Sequence, residues 1–291
     1  RMCGFAYNTP MTSLLSQRPM RAVVLWASIL ASAGWGHAQT LDQARDDQIA
    51  RLQNYTLDAI QPSGLVRDSL VLNGSSFHPA TPDAAGFALI ALSAFDHLCT
   101  LSNADEQVID ILNSYAGNTP GVTPDRSANG HYRHFIDIVD GSDPPGWDDS
   151  FTPIGTALLV AGAQFARNHF SGNATIAAVT EQLTNSVDFN AAIHPSLDGR
   201  IFLDVGAAGT GVGGSVRPWN EFMLVESLAL RQENNDRALA VRDRWLEIDN
   251  LPKRTFVQHV TLTDNPNRYA PAFWVQQMHF FNGDFLHSED F

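Results

Sequence analysis

The sequence predicts an all-α protein: an (α/α)6 toroid that is incomplete at its C-terminus and carries short β-hairpins in its long loops. Two observations predict this fold class. Segments that are apolar on nearly every side alternate with segments that are apolar on one side only, as the inner and outer helices of two concentric rings would. Short and long connections between these segments also alternate along the chain. A layered helical bundle would show the same periodicity, so closure of the ring is left open.

The alternation starts after residue 39. The amphipathic segments, which we expect to form outer helices, are Leu41–Ile60, Asp105–Tyr115, Thr175–Ile193 and Asn235–Ile248. The segments without a polar face, which we expect to form inner helices, are Pro82–Leu101, Pro153–Phe165 and Trp219–Leu230, and a last helix is predicted over Pro271–Phe281. Six helical hairpins need more helices than these. We therefore expect the chain to be a fragment that lacks a C-terminal part of the domain.

The long connections should all lie at one end of the helices. Short segments follow the inner helices, at 102–104, 171–174 and 231–234. Long segments precede them, at 61–81, 116–152, 194–217 and 249–270. In antiparallel hairpins this order places every long segment above the N-termini of the inner helices. Long loops on a rigid scaffold commonly carry binding and catalytic residues, so we expect the functional face at this end.

Residues 1–38 are predicted to be a leader with a secretory signal peptide, which leaves residues 39–291 as a catalytic-type domain. A basic start, at Met20 or Met11, precedes a short apolar segment, and Gly36 and Ala38 place small side chains at the two positions that signal peptidase reads. A membrane anchor is the alternative, but the apolar segment is shorter than the roughly 20 residues that a transmembrane helix needs. We expect a periplasmic or secreted protein without stable membrane insertion.

The chain is acidic, with 31 Asp and Glu against 18 Lys and Arg and a net charge of −13. This charge disfavours nucleic acid and anionic membranes as partners. The histidines show no metal-binding spacing such as H-E-x-x-H, and no G-x-S-x-G motif indicates a nucleophilic serine. We therefore expect neither a metal nor an organic cofactor.

One stretch has the spacing of a dinucleotide-binding motif. Gly209, Gly211 and Gly214 match G-x-G-x-x-G, but that motif needs a helix that opens directly on the glycines within a βαβ unit. Residues 215–218 intervene here, and no parallel-strand pattern precedes the glycines. We expect a flexible hairpin beside the site instead.

The segment that starts at Pro218 combines an apolar helix pattern with two acids. Pro218 suits the first helical position, where a backbone N–H needs no acceptor. Burial of Glu221 or Glu226 without partners would cost several kcal/mol, on the order of the upper values for polar burial, so each acid should be paired or functional. Glu221 lies at the end that faces the long loops and is our candidate catalytic acid, with pairing to Arg217 as the alternative. Glu226 lies one turn deeper and is expected to be structural.

The loop over residues 116–152 supplies further candidates. Aromatic faces beside carboxylates suit a sugar ring, whose C–H face stacks while its hydroxyl groups form hydrogen bonds. Hydrolysis of a glycoside usually needs two carboxylates, one as acid and one as base or nucleophile. The candidates that we take from this loop are Tyr132, His134, Asp137, Trp147, Asp148 and Asp149. Asp149 or Ser150 would equally serve as a helix N-cap.

Four blocks of sequence resemble bacterial glycoamylase-like (α/α)6 proteins, a family that includes endo-β-1,2-glucanases. The blocks are Thr81–Leu92, Gly130–Asp137, Thr156–Gly162 and Trp219–Leu230. Their most specific parts are Trp-Asn-Glu and His-Phe-Ile-Asp. The segment Pro271–His279 also resembles the aromatic, Gln-rich helix that such proteins carry next. The resemblance runs over most of the mature chain, from about Ser75 to Phe285.

The resemblance implies that Glu221 is the acid and that aromatic residues line a glucan cleft. Asp137, Asp148 or Asp149 would activate water or position the sugar. Substrate contacts are then expected from Tyr132, His134, Trp147, Trp219, Trp274 and Gln277. In two places the chain departs from the family pattern: the usual Asp of Ser-Thr-Ile-Asp-Thr-Ala-Leu is Gly155, and Arg231–Glu233 replaces the usual Gly-Ser-Pro.

The predicted function is a glycoside hydrolase that cleaves a β-glucan, with β-1,2-linked glucan among the expected substrates. A catalytically silent glycan-binding protein of the same fold is the alternative, because Gly155 removes a carboxylate from the cleft. A polysaccharide lyase fits less well, since lyases act on uronates and usually need basic residues at the site.

Overall fold

The computed structural model describes residues 40–70, 78–147, 150–217, 220–246, 253–256 and 259–262. The predicted leader and the predicted helix over 271–281 lie outside these residues. The chain divides into two compact units, residues 1–52 and 53–291, and both hydrophobic clusters belong to the second. Among the described helices, none is both long enough and apolar enough to span a membrane.

The described helices follow the predicted order. They are α1 (Leu41–Ala59), α2 (Pro82–His97), α3 (Ala104–Ala116), α4 (Pro153–His169), α5 (Ala174–Asn185), α6 (Met223–Ala229) and α7 (Asp236–Leu246). A 3-10 turn at Phe189–Ala192 follows α5, which ends at Asn185 rather than at Ile193 as predicted. The larger difference concerns α6, which begins at Met223 rather than at Pro218 or Trp219. Glu221 therefore precedes the helix.

Helices α2 to α6 pack in two layers. The apolar helix α2 packs against α4, and α4 packs against α6, whereas the amphipathic α3 and α5 pack against each other. Short connections join α2 to α3, α4 to α5 and α6 to α7. Apolar and amphipathic helices therefore alternate between residues 82 and 246, as predicted.

The inner pair α2 and α4 owes its close packing to two glycines. A Cβ atom added to Gly162 would lie 2.8 Å from the Cα of Gly86. One added to Gly86 would lie 2.5 Å from the carbonyl carbon of Leu158. The two backbones are thus in direct contact, which explains why the inner helices are rich in small residues.

Both inner helices of this pair start with the same Thr-Pro sequence. The hydroxyl of Thr81 accepts a hydrogen bond from the backbone N–H of Ala84 (3.3 Å), and Pro82 follows as the first helical residue. The hydroxyl of Thr152 accepts from the N–H of Gly155 (3.1 Å) before Pro153. A side-chain N-cap followed by proline fixes where each helix begins.

The long connections contact one another through backbone hydrogen bonds. Ala80 and Ile136 exchange two backbone hydrogen bonds, of 2.9 and 3.0 Å. The N–H of Thr152 donates to the carbonyl of Tyr132, and that of Val205 donates to Phe151 (both 2.9 Å). The strand-like alternation of residues 130–141 thus forms isolated bridges to neighbouring loops, not a continuous strand.

Short hairpins do occur in the chain, as predicted. Strand β1 (Ile201–Val205) pairs with β2 (Gly211–Val216) in antiparallel fashion, and β3 (Lys253–Phe256) pairs with β4 (His259–Leu262). The glycine-rich stretch forms the turn and second strand of the first hairpin and opens no helix directly. It therefore lacks the geometry of a dinucleotide-binding loop.

Candidate functional site

The N-terminal ends of α2 and α4 lie where two long connections meet. Thr81 and Thr152 cap these helices, and the bridge between Ala80 and Ile136 brings the segment before α2 beside the loop before α4. Side chains from two loops that are distant in sequence therefore share one surface. This surface matches the functional face expected from the loop lengths.

A row of four rings lies on this face. The rings of His134 and Phe135 are stacked, with centroids 4.1 Å apart and an interplanar angle of 26°. Trp147 lies 5.0 Å from Phe135, and His78 lies 6.1 Å from Trp147. We call these four residues the aromatic row. Trp147 is 36% exposed, so the row presents an aromatic surface to solvent.

The row combines predicted and missed residues. His134 and Trp147 were predicted to contact substrate, and the structure brings them together through Phe135. Phe135 and His78 were not predicted, although Phe135 belongs to the His-Phe-Ile-Asp block. The hydroxyl of Ser69 lies 2.8 Å from Nδ1 of His78, which fixes the orientation of that ring.

Two carboxylates that the sequence did not single out lie close to the row. The backbone N–H of Asp68 donates to the carbonyl of Pro79 (3.0 Å), which places Asp68 beside His78. Burial and the charge of Asp83 raise the pKa of Asp68, while His134 and His78 lower it. Asp68 thus lies within electrostatic range of Asp83, His134 and His78.

Asp83 occupies the first turn of α2, where a negative charge interacts favourably with the helix dipole. Its Oδ1 atom is buried, and within the described part of the chain no hydrogen-bond donor reaches it. A buried carboxylate oxygen favours a donor. The face therefore offers acceptors, imidazoles and aromatic surface together.

Tyr132 does not lie on this face. Its side chain is fully buried, and its hydroxyl donates to the backbone carbonyl of Tyr115. Burial raises its pKa, and the guanidinium of Arg126 lies 4.2 Å from the ring centroid. The prediction that Tyr132 contacts substrate does not agree with this placement, because a core side chain has no surface to offer a sugar.

Asp137 is engaged in its own turn. Its Oδ1 accepts from the backbone N–H of Val139 (2.8 Å), and its own N–H donates to the carbonyl of Ser142 (2.8 Å). This is the geometry of an Asx turn. Asp137 therefore shapes the loop that carries the aromatic row, which makes it a weaker candidate for the base.

Glu221 lies in a turn that Asn220 organises. The side-chain amide of Asn220 donates to the carbonyl of Arg217 (3.0 Å), and its oxygen accepts from the N–H of Phe222 (3.0 Å). Glu221 is half-buried, with its Oε2 atom in the interior. Glu226 is 3% exposed within α6 and accepts from the hydroxyl of Ser227 (3.2 Å), as fits a structural acid.

Gly155, where the glycoamylase-like pattern has Asp, lies at the contact between two helix N-termini. A Cβ atom there would lie 2.7 Å from Cγ2 of Thr152 and 3.1 Å from Cγ of Pro82. A carboxylate side chain would therefore displace one of these neighbours.

The remaining predicted site residues, Asp148, Asp149, Trp219, Trp274 and Gln277, lie outside the described residues. Within the described ranges, no group of three or more His, Cys, Asp or Glu side chains is arranged to hold a metal ion.

No protein-family model and no curated protein matches the sequence. Solved structures do match it. An endo-β-1,2-glucanase from Chitinophaga pinensis, solved with sophorotriose and glucose, is 18% identical with a TM-score of 0.67 over 81% of this chain and 59% of its own. A candidate glucoamylase from Bacteroides fragilis is 20% identical with a TM-score of 0.65 over 83% of this chain and 60% of its own.

A β-1,2-glucanase from Parabacteroides distasonis is 21% identical with a TM-score of 0.55, over 68% of this chain and 28% of its own. The present chain thus spans less than two thirds of the length of each of these proteins. At such identities the likeness shows a shared fold. The resemblance to glycoamylase-like proteins, drawn from the sequence blocks, is confirmed at that level.

Proposed function

We propose that this protein is a glycoside hydrolase that acts on a β-glucan, and that its two helical layers belong to an (α/α)6 toroid. The observation that carries the proposal is the aromatic row with Asp68 and Asp83 beside it. Two further points support it. The row lies at the N-terminal ends of inner helices, where this fold gathers its long loops, and the names of two solved neighbours describe β-1,2-glucanases.

The row suits a glucosyl unit for chemical reasons. The C–H face of a sugar ring is apolar and packs against aromatic faces such as Trp147 and Phe135. The hydroxyl groups at its edge need acceptors and donors, which Asp68, Asp83 and His78 supply. A β-1,2-linked glucan is the substrate we propose first, on the strength of the two neighbours named as β-1,2-glucanases.

Hydrolysis would use Glu221 as the acid. In this mechanism Glu221 donates its proton to the glycosidic oxygen as the bond to the anomeric carbon breaks, and a second carboxylate assists the attacking nucleophile. Asp148 and Asp149 are the proposed candidates for that second group. Asp137 ranks below them because its Oδ1 already accepts from Val139. The separation of the two carboxylates would decide between retention and inversion.

The test is the Glu221→Gln variant, which keeps the shape of the side chain and removes its acidic proton. Release of reducing ends from β-1,2-, β-1,3- and β-1,4-glucans should fall by about 10²- to 10⁴-fold, the usual contribution of a general acid. Glu226→Gln is the matched control, since it makes the same change in the helix that follows. Equal rates for wild type and Glu221→Gln would refute the proposed role.

A catalytically silent glycan-binding protein is the second candidate function. It is favoured by Gly155, where the packing of Thr152 and Pro82 leaves no room for a carboxylate. Isothermal titration with gluco-oligosaccharides separates the two functions. Saturable binding by the wild type without product formation would support this alternative, and product formation would exclude it.

We also propose that the protein is exported to the periplasm or the medium by a signal peptide within residues 1–38. Expression of the gene with this segment, followed by N-terminal sequencing, should give a mature protein that starts at Gln39. A secreted product that retains the segment would contradict the proposed cleavage.

A further inference from the structure

A cavity of about 600 Å³, lined by polar and apolar residues, shares no residue with the aromatic row. A second cavity of about 440 Å³ shares four of its lining residues, so the two form one continuous depression. We call it the amide groove and define it by Asn129, Asp188, Asn190, Phe202, Asn234 and Arg237. The volume of each of the two cavities is within the range of ligand-binding pockets, about 300 to 1,000 Å³.

The groove is assembled from segments that hydrogen bonds hold together. The N–H of Asp188 donates to the carbonyl of Asn129 (2.9 Å), and the side-chain amide of Asn129 donates to the carbonyl of Gly209 (2.6 Å). From α7, the guanidinium of Arg237 donates to the carbonyl of Ile193 (3.3 Å). The walls therefore do not depend on a ligand for their position, which lowers the entropic cost of binding.

The chemistry of the walls favours a neutral, hydroxyl-rich ligand. Three amide side chains, Asn129, Asn190 and Asn234, each carry both donors and an acceptor, as sugar hydroxyl groups do. Asp188 and Asp236 outnumber Arg237, so the lining carries a net negative charge and disfavours phosphates and uronates.

One acceptor in the groove has no donor. Oδ1 of Asn190 is buried, and no donor of the described chain lies within hydrogen-bonding distance of it. The backbone N–H of Asn190 is bound to Oδ1 of Asp188 (3.0 Å), so this turn is fixed in place. A buried acceptor without a partner is costly, and a ligand hydroxyl would satisfy it.

We propose that the amide groove is a second sugar-binding site, which holds a neutral hexose unit of a polysaccharide outside the catalytic cleft. The proposal rests on the proposed function for the choice of probe and for the catalytic cleft that a second site would serve. A second site would keep the enzyme on a long chain between cleavage events, because two linked contacts raise the effective concentration of the polymer at the cleft.

Two substitutions test the groove with little change to its backbone. Asn190→Leu keeps the approximate size of the side chain and removes the acceptor. Asn234→Gly removes an amide and keeps the left-handed conformation of that residue, whose φ is 57°. Asn103→Leu is the matched control, since Asn103 is exposed and its side chain makes no capping hydrogen bond.

The measurement uses the full chain with Glu221→Gln, so that the probe, a soluble β-1,2-glucan, is not consumed. The variant with both Asn190→Leu and Asn234→Gly should bind the polymer about tenfold more weakly than the control. A change of this size in Kd is expected when one or two hydrogen bonds are lost. Sodium polygalacturonate, an acidic polymer, should not bind the groove. Equal affinity of the double variant and the control for the glucan would overturn the proposal.

A second readout covers the case in which a variant fails to fold. In the wild-type groove, the side-chain amide signals of Asn190 and Asn234 should shift in nuclear magnetic resonance spectra when glucan is added. Unchanged signals at saturating glucan would overturn the proposal. The outcome is separate from that for Glu221, because groove binding is measured without turnover and the role of Glu221 is measured by turnover.

Discussion

The N-terminal ends of α2 and α4 are built alike, whereas the N-terminal end of α6 is built differently. Thr81 and Thr152 each cap their helix through a side-chain hydroxyl and precede a proline. The residue before α6 is Phe222, which makes no capping hydrogen bond through its side chain. The first two ends are locally encoded and carry the aromatic row. The third depends on Asn220 and carries the proposed acid.

Substitutions at the two kinds of helix start should therefore have different effects. Gly86 and Gly162 bring the backbones of α2 and α4 into contact, and the loops before these two helices carry the aromatic row. Glu221 lies in a turn that precedes α6 and that Asn220 holds through two hydrogen bonds. We expect substitutions of the caps and of the glycine contact of α2 and α4 to affect stability, and substitutions of Glu221 to affect turnover.

The largest expected effect on stability depends on pH and concerns His131, which lies in the loop before α4. It is fully buried, and neither ring nitrogen has a hydrogen-bond partner among the described residues. Burial lowers its pKa from 6.5 to about 4. The unfolded chain therefore binds a proton below pH 6.5 that the native state does not accept, and stability should fall by about 3 kcal/mol between pH 6.5 and 4.

Chemical denaturation of the wild type and of His131→Leu at pH 7.5, 5.5 and 4.5 measures this effect. The wild type should lose more stability on acidification than the variant. Above pH 6.5 the difference in stability between the two proteins should no longer change with pH. Parallel pH profiles for the two proteins would show that His131 does not titrate in this way.

The next largest effect should come from the glycine contact. Gly162→Ala places a methyl group against the backbone of α2 and should destabilise the protein by about 1 to 3 kcal/mol, the usual cost of overpacking. Gly172→Ala is the matched control, because no atom lies within 4 Å of the added methyl group. Thermal unfolding should separate the two variants, and equal melting temperatures would contradict the close helix contact.

The smallest effect should come from the N-caps. Thr152→Ala removes the acceptor for the N–H of Gly155 and should cost about 1 kcal/mol, whereas Thr152→Ser keeps the hydroxyl and should cost less. Urea denaturation checks the order of the two variants. A Thr152→Ser protein no more stable than Thr152→Ala would show that the hydroxyl does not cap α4.

The helix starts were predictable where a local signal fixes them. Thr-Pro at residues 81–82 and 152–153 combines a cap with a residue of fixed φ, and both helices begin there. Pro218 gives a similar signal before α6, but the start shifts to Met223. The side chain of Asn220 forms hydrogen bonds with both Arg217 and Phe222. A turn held by side-chain hydrogen bonds cannot be predicted from the periodicity of apolar residues.

The candidate site was predictable only in part, for a related reason. His134 and Trp147 belong to one loop, so the sequence shows them as neighbours. His78 and Asp68 come from another loop, and they lie near His134 and Trp147 because the bridge between Ala80 and Ile136 brings the two loops together. Tyr132 is adjacent to predicted site residues, yet its side chain lies in the core. The sequence did not predict this, because alternation along a chain does not say which face is buried.

The central claim is that the face with the aromatic row binds a glucan, and Trp147→Ala tests it most directly. In chains that carry Glu221→Gln, isothermal titration with a β-1,2-linked gluco-oligosaccharide should show weaker binding for Trp147→Ala by a factor of about 2 to 10, the range that loss of an aromatic contact implies. Phe165→Ala is the control, since Phe165 is an exposed aromatic residue farther along α4. Weaker binding for Trp147→Ala alone is the predicted result, and equal affinity for the two variants would contradict the account.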